Sequence, residues 1–236
     1  MPPQRPASSA PARSPLHPAG RWVASHRGRL AWLFVCVLAP LYLFGELAER
    51  VREPAAIPFD EPILRLMQRL ATPWLDQAML LASQAGSGPW VSAFDVLVCA
   101  FLLARRRWLQ ALYWTLATGG AALLNLLAKH SYARARPELW PSLAPETSFS
   151  FPSGHAMQSM SLAAALVVLA WPTRLRWPIL VAGAAFTLVV GISRIYLGVH
   201  FPSDVLAGWC ASLAWAVGLA LLFRRRTGRR GASDPT

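Results

Sequence analysis

Six long apolar runs, parted by short polar segments, constrain this chain more than any other feature. They fall at roughly Leu30–Gly45, Pro89–Ala104, Trp108–Ala128, His155–Trp171, Trp177–Ile192 and Val205–Phe223. A helix needs about 20 apolar residues, within a range of about 17–25, to cross the hydrocarbon of a bilayer. Several runs sit at the short end. Flanking arginines that snorkel, and the terminal tryptophans Trp90, Trp108, Trp171 and Trp177, bring them into range. The expected fold class is therefore all-α: a polytopic membrane protein built as a six-transmembrane-helix bundle. Composition agrees. Only 14% of the residues are charged and 55% are hydrophobic, whereas a soluble domain carries about a quarter charged residues.

The net charge of +12 invites a nucleic-acid reading, but its placement excludes one. Arginine gathers at one set of helix ends, in the N-terminal tail, at Arg105–Arg107, at Arg174 and Arg176, and from Arg224 onward, with Asp234 the one acid among them. The opposite ends carry acids and bases in near balance. The positive-inside rule then puts the arginine-rich ends and both termini in the cytoplasm. Residues 1–29, rich in Pro, Ala, Ser and Arg, read as a disordered cytoplasmic tail. Residues 30–223 read as the membrane domain and 224–236 as a basic cytoplasmic tail. The first apolar run lacks a small-residue cleavage site after it and reads as a retained anchor. Residues 46–88 form the longest extracytoplasmic stretch. There Ile63, Leu64, Met67 and Leu70 recur at helical spacing, which suits a short helix lying in the interface. Cys36, Cys99 and Cys210 all sit within apolar runs, so neither a disulfide nor a metal cluster is expected.

Three polar segments reach the same, extracytoplasmic side. One leaves the third run with Lys129, Arg134, Arg136 and Pro137; one enters the fourth with Pro152, Ser153, Gly154 and His155; one joins the fifth to the sixth with Ser193, Arg194, His200 and Asp204. Lys129, Arg136 and Arg194 are cations that repel one another unless an anion joins them, and guanidinium forks match phosphate oxygens. Ser153 and Gly154 stand where a helix begins, so backbone N–H groups and the helix dipole favour an anion there. The implied ligand is a phosphoryl group. His200, four residues before Asp204, suits a nucleophile whose tautomer the carboxylate fixes. His155, on the facing side, suits the general acid and then the base for water. With no carboxylate cluster nearby, no metal or other cofactor is expected.

These residues resemble the signature of the type 2 phosphatidic acid phosphatases, the PAP2 superfamily. Lys129 with Arg136-Pro137, the run Pro152-Ser153-Gly154-His155, and Ser193-Arg194 with His200 and Asp204 match its three parts in identity and spacing. The resemblance implies phosphate binding by Lys129, Arg136, Arg194, Ser153 and Gly154. It implies His200 as the nucleophile that becomes phosphohistidine, Asp204 as its partner, and His155 as the acid. It further implies a metal-independent phosphatase in the inner membrane of a bacterium, hydrolysing a lipid phosphomonoester or diphosphate. Undecaprenyl diphosphate and phosphatidylglycerophosphate stand first as substrates, phosphatidate behind them. The bilayer and the lipid phosphate are the expected partners, and nucleic acid is not one. Two other functions use the same residues differently: a phosphotransferase that passes the phosphate to a lipid or glycan acceptor, and a non-catalytic lipid-binding or transport protein on the same fold. Vanadium haloperoxidases share the superfamily, but they resemble larger soluble proteins. Within the spans, Asn125, one turn before Lys129, and the intramembrane Asp95 are candidates to support Lys129 from below.

Overall fold

The computed structural model describes residues 28, 30–53 and 57–229, with side chains as far as 223. The proposed tail 1–29 lies outside the described residues apart from Gly28, as do residues 230–236. Among the described residues every regular element is a helix: α1 (Leu30–Arg52), α2 (Asp60–Arg69), α3 (Pro73–Ala85), α4 (Gly88–Ala104), α5 (Trp108–Tyr132), α6 (Gly154–Ala170), α7 (Arg176–Tyr196) and α8 (Pro202–Arg229). Large apolar side chains such as Tyr42, Val96, Leu97, Leu126 and Val181 are exposed along these helices. That is unstable in water and normal against lipid. The chain is a multi-pass membrane protein.

Each apolar run became a helix, yet length and composition do not support six spans. Among the described residues, four helices are long and apolar enough to cross alone (α1, α5, α7 and α8 as far as Phe223), and a fifth span arises if α3 and α4, bent by 43°, count as one. The bend falls at Gly86, where an added side chain would strike Val190 of α7. Helix α6 has 17 residues, about 26 Å at 1.5 Å per residue, against ~30 Å of hydrocarbon. It lies inside the bundle, packed by α5, α7 and α8, with Ala156, Met157, Ser159 and Leu162–Ala165 among its buried residues. Small side chains let these backbones approach: a Cβ on Gly208 of α8 would meet the Ser153 carbonyl at 2.9 Å.

Helix α1 carries a π-helical stretch at Phe34–Leu38, closed by the Ala39 N–H on the Phe34 carbonyl. Pro40 follows. It lacks the N–H that an α-helical ladder would need, and the widened turn accommodates the loss. The helix then continues to Arg52, so the stretch from 46 begins inside α1. The rest of that stretch folds into two helices. Helix α2 is the one its apolar periodicity predicts. Helix α3, which the sequence left undivided, packs on α7, where Leu75, Met79 and Leu80 cover Tyr196, Leu197 and Val199. The Tyr196 hydroxyl donates to Asp76 and accepts from the Thr72 N–H. Helices α2 and α3 thus cap the bundle at the end where the polar segments meet.

Candidate active site

The site sits at the C-terminal ends of α5 and α7 and the N-terminal ends of α6 and α8. Helix α5 ends at Ala133, a non-glycine residue in the left-handed region (φ 44°), whose N–H bonds the Lys129 carbonyl. This reversal sends the chain out as an extended segment carrying Arg134 and Arg136. Helix α7 ends in a turn through Gly198, at φ 69°. A Cβ there would also lie 2.7 Å from the Trp140 ring. The turn returns the chain to His200 and into α8.

Arg136 organises the cations. Its guanidinium donates to the carbonyls of Ser148 (2.7 Å) and Val199 (2.6 Å). It also donates to Glu146 Oε2 (2.9 Å) and Ser148 Oγ (3.1 Å). Lys129 Nζ donates to the same Ser148 hydroxyl at 2.7 Å. Arg194, 2% exposed, donates to Ser83 of α3 and to Glu146 Oε1. His155 Nδ1 lies 3.9 Å from that same Oε1. The Glu146 carboxylate is therefore clasped between two arginines, next to a histidine. Burial would raise its pKa, but Arg194 and Arg136 outweigh burial and hold it below the ordinary carboxylate range.

His200 is 1% exposed and Asp204 0%. Nε2 of His200 lies 3.2 Å from an Arg136 N–H. Arginine only donates, so Nε2 carries the lone pair and the proton sits on Nδ1. Nδ1 faces Ser150 Oγ at 3.4 Å and Asp204 Oδ2 at 3.6 Å. The Ser150 hydroxyl in turn donates to Oδ2, as does the Phe201 N–H at 2.9 Å. Burial pulls His200 down to about 4 against the opposing pull of Asp204, so the imidazole is neutral at physiological pH.

At the start of α6, the Ser153 N–H, expected to face an anion, instead donates to the Asp204 carbonyl at 3.1 Å. It ties α6 to α8. The buried Ser153 Oγ and Arg194 Nε have no hydrogen-bond partner, and the first-turn amides from Gly154 onward have none within the helix. Arg136, Arg194 and His155 gather around Glu146, an arrangement that suits an anion. All the predicted site residues (Lys129, Arg136, Ser153, Gly154, His155, Arg194, His200 and Asp204) come together here.

Asn125 supports a different partner from the one expected. Its Nδ2 donates to the Pro152 carbonyl (3.0 Å) and approaches Met157 Sδ (3.3 Å), so it braces the Pro152–Gly154 turn and not Lys129. Asp95 Oδ1 is buried without a hydrogen-bond partner, the Thr118 hydroxyl donates to the Trp114 carbonyl, and Asp95 makes no bond to Lys129. Sequence reasoning passed over Glu146, Ser148, Ser150, Arg134, Asp60 and Ser83. Arg134, two residues before Arg136, was the most visible of them. Glu146, Ser148 and Ser150 stand in a loop without periodicity, and Asp60 and Ser83 stand on the capping helices α2 and α3, where nothing local distinguishes a site residue from its neighbours.

Residues 108–228 match the model of the PAP2 superfamily. Phosphatidylglycerophosphatase B of Bacillus subtilis (strain 168) is 33% identical over 185 residues, covering 75% of this chain and 86% of that protein. An undecaprenyl-diphosphatase of Sulfolobus acidocaldarius is 36% identical over 94 residues, 38% of this chain and 43% of its own length. Among solved structures, a transmembrane PAP2-type phosphatidylglycerolphosphate phosphatase from Bacillus subtilis superposes with a TM-score of 0.71 at 28% identity, over 81% of this chain and 96% of that one. The family model over half of the chain and the relative covered to 86% show that the chain belongs to the PAP2 superfamily.

Proposed function

We propose that this chain is a membrane phosphatase that hydrolyses a lipid phosphate through a phosphohistidine on His200. The observation that carries the reading is the position of the Glu146 carboxylate: an anion held by Arg136 and Arg194, with His155 beside it and the lone pair of His200 against Arg136. A phosphoryl group that displaces Glu146 would meet those donors together with Lys129, Ser153 Oγ and the Gly154 amide. Nε2 of His200 attacks phosphorus, and the bond from phosphorus to the leaving oxygen breaks with its electron pair on that oxygen. His155 supplies the proton that makes it an alcohol, or a phosphate where the substrate is a diphosphate. His155 then takes a proton from water, which attacks the phosphohistidine, releases inorganic phosphate and restores His200. The cations spread the charge of the transferring group throughout. In this mechanism no metal takes part.

The reading places the protein in a bacterial inner membrane, termini in the cytoplasm and the site outside, on the arginine distribution already described. Similarity to phosphatidylglycerophosphatase B over 86% of that protein's length supports proposing phosphatidylglycerophosphate first among substrates, with undecaprenyl diphosphate next. Purified protein tested on phosphatidylglycerophosphate, undecaprenyl diphosphate and phosphatidate, with chelator present, is expected to release free phosphate. Substituting His200→Ala should lower that release by at least roughly a thousandfold, as loss of a nucleophile does. Release unchanged in His200→Ala would refute the nucleophile. Labelled phosphate found on an acceptor lipid with none set free would make the protein a transferase.

A further inference from the structure

Asp204 is a carboxylate with no exposed surface, 3.6 Å from Nδ1 of His200. Left alone, a buried carboxylate takes up a proton, or keeps one on its histidine partner. Its two oxygens are divided between different neighbours. Oδ2 faces the His200 side, bonded by Ser150 and the Phe201 N–H. Oδ1 faces away and accepts from Arg134 Nη1, the same nitrogen that lies 2.8 Å from Ser203 Oγ. The Arg134 guanidinium lies 4.0 Å above the Phe201 ring. Its other nitrogen, Nη2, donates at 2.8 Å to Asp60 of α2, which is 3% exposed. Asp60 closes the circuit. It accepts the Ser203 N–H at 2.9 Å and the Ser203 hydroxyl at 2.6 Å, in the first turn of the helix that carries Asp204.

We infer that Asp60 and Arg134 are positioning residues of the nucleophile, an alternating chain of charges from α2 through Arg134 to Asp204 that sets how strongly the Asp204–His200 pair holds a proton. This rests on the proposed role of His200. The other charged and titratable groups facing the pair are Arg136 and Glu146 from the loop, Lys129 from α5, His155 from α6 and Arg194 from α7. None of them bonds Asp204 Oδ1. Arg134 alone among these cations neutralises the far side of the carboxylate. Without it, Asp60 and Asp204 would face each other uncompensated across the bonds each makes to the start of α8. The pair would then bind a proton at higher pH, and Asp204 would be free to turn away from His200.

The test uses the purified full chain in detergent micelles, with kcat/KM for phosphatidylglycerophosphate measured against pH and a 13C-histidine NMR titration of His200 that needs no turnover. In Arg134→Gln, the acid limb and the His200 midpoint are expected to move up by about one pH unit. The variant should lose roughly tenfold or more in kcat, with KM within about threefold of the wild type. Arg134→Lys keeps the charge and should keep the midpoint. Adding Asp60→Asn to Arg134→Gln should bring the midpoint back down, although it removes more contacts, and Asp60→Asn alone should leave it at or below the wild-type value. A merely structural role predicts the reverse for the double variant. A midpoint unmoved in Arg134→Gln, or moved as far or farther in the double variant, overturns the inference, as does an upward shift in Asp60→Asn alone. Full activity in His200→Ala would instead strike the nucleophile assignment, while the NMR midpoints still decide whether the charge chain acts on His200.

Discussion

Glu146 fills the cation cluster with the chain's own carboxylate. The arginines keep that carboxylate ionised, so a substrate phosphate competes with an internal anion for the same donors. Replacing it by Glu146→Gln leaves the positive field uncompensated. Inhibition by inorganic phosphate or vanadate should then strengthen roughly tenfold, about 1.4 kcal/mol, read as a fall in the inhibition constant. At His200 the sign of the pH effect follows from burial. The free imidazole titrates near 6.5, and the buried one is pulled down to about 4. The neutral, attacking form therefore persists as pH falls below 6.5 and is lost only through about 4. The enzyme's acid limb in kcat/KM should lie well below 6.5. The unfolded chain binds that proton first, so stability contributed by the neutral ring is complete above about 6.5 and declines as pH drops toward 4. Thermal unfolding measured at pH 7 and pH 5 should show the lower midpoint at pH 5.

Two turns do most of the positioning among the elements. Gly198 must be left-handed, and Trp140 occupies the space where a side chain would go. Gly198→Ala should destabilise the fold by about 1–2 kcal/mol from the backbone alone, more with the clash, and move His200 out of register with Asp204. Differential scanning in detergent and kcat together read both effects. Helix α3 holds Ser83 against Arg194, and the loop over 133–153 brings Ser148 to Lys129 and Arg136 and Ser150 to Asp204. The three motif segments were legible because their residue types and spacing carry the chemistry themselves. The loop and α3 were not. Their polar side chains matter through partners that are distant in sequence, such as Ser150 with Asp204 or Ser83 with Arg194, and no local pattern encodes those pairings.

Across the whole molecule, tryptophans mark both ends of the bundle, while Trp114 and Trp215 pack within it. Trp32 packs edge-on against Trp171 at 5.2 Å, and Arg176 lies over Trp171 and Trp177 at the arginine-rich end. Trp74 and Trp90 are exposed at the other end. Such belts mark the two water interfaces. A cysteine placed in the 138–149 loop should react with an impermeant maleimide in intact cells. One placed in the Arg105–Arg107 turn should react only after permeabilisation, and the opposite pattern would invert the proposed topology. The sequence by itself determined that the chain is helical and membrane-bound, and that cations and histidines converge at one end. Hydropathy and charge act residue by residue and survive without coordinates. Only the tertiary structure decided that α6 is a short, enclosed helix, that Glu146 sits among the arginines, and that Asp60 and Arg134 stand behind Asp204. Those facts depend on how closely the small residues of α5 to α8 let the backbones approach, and on where loops distant in sequence come to rest across the end of the bundle.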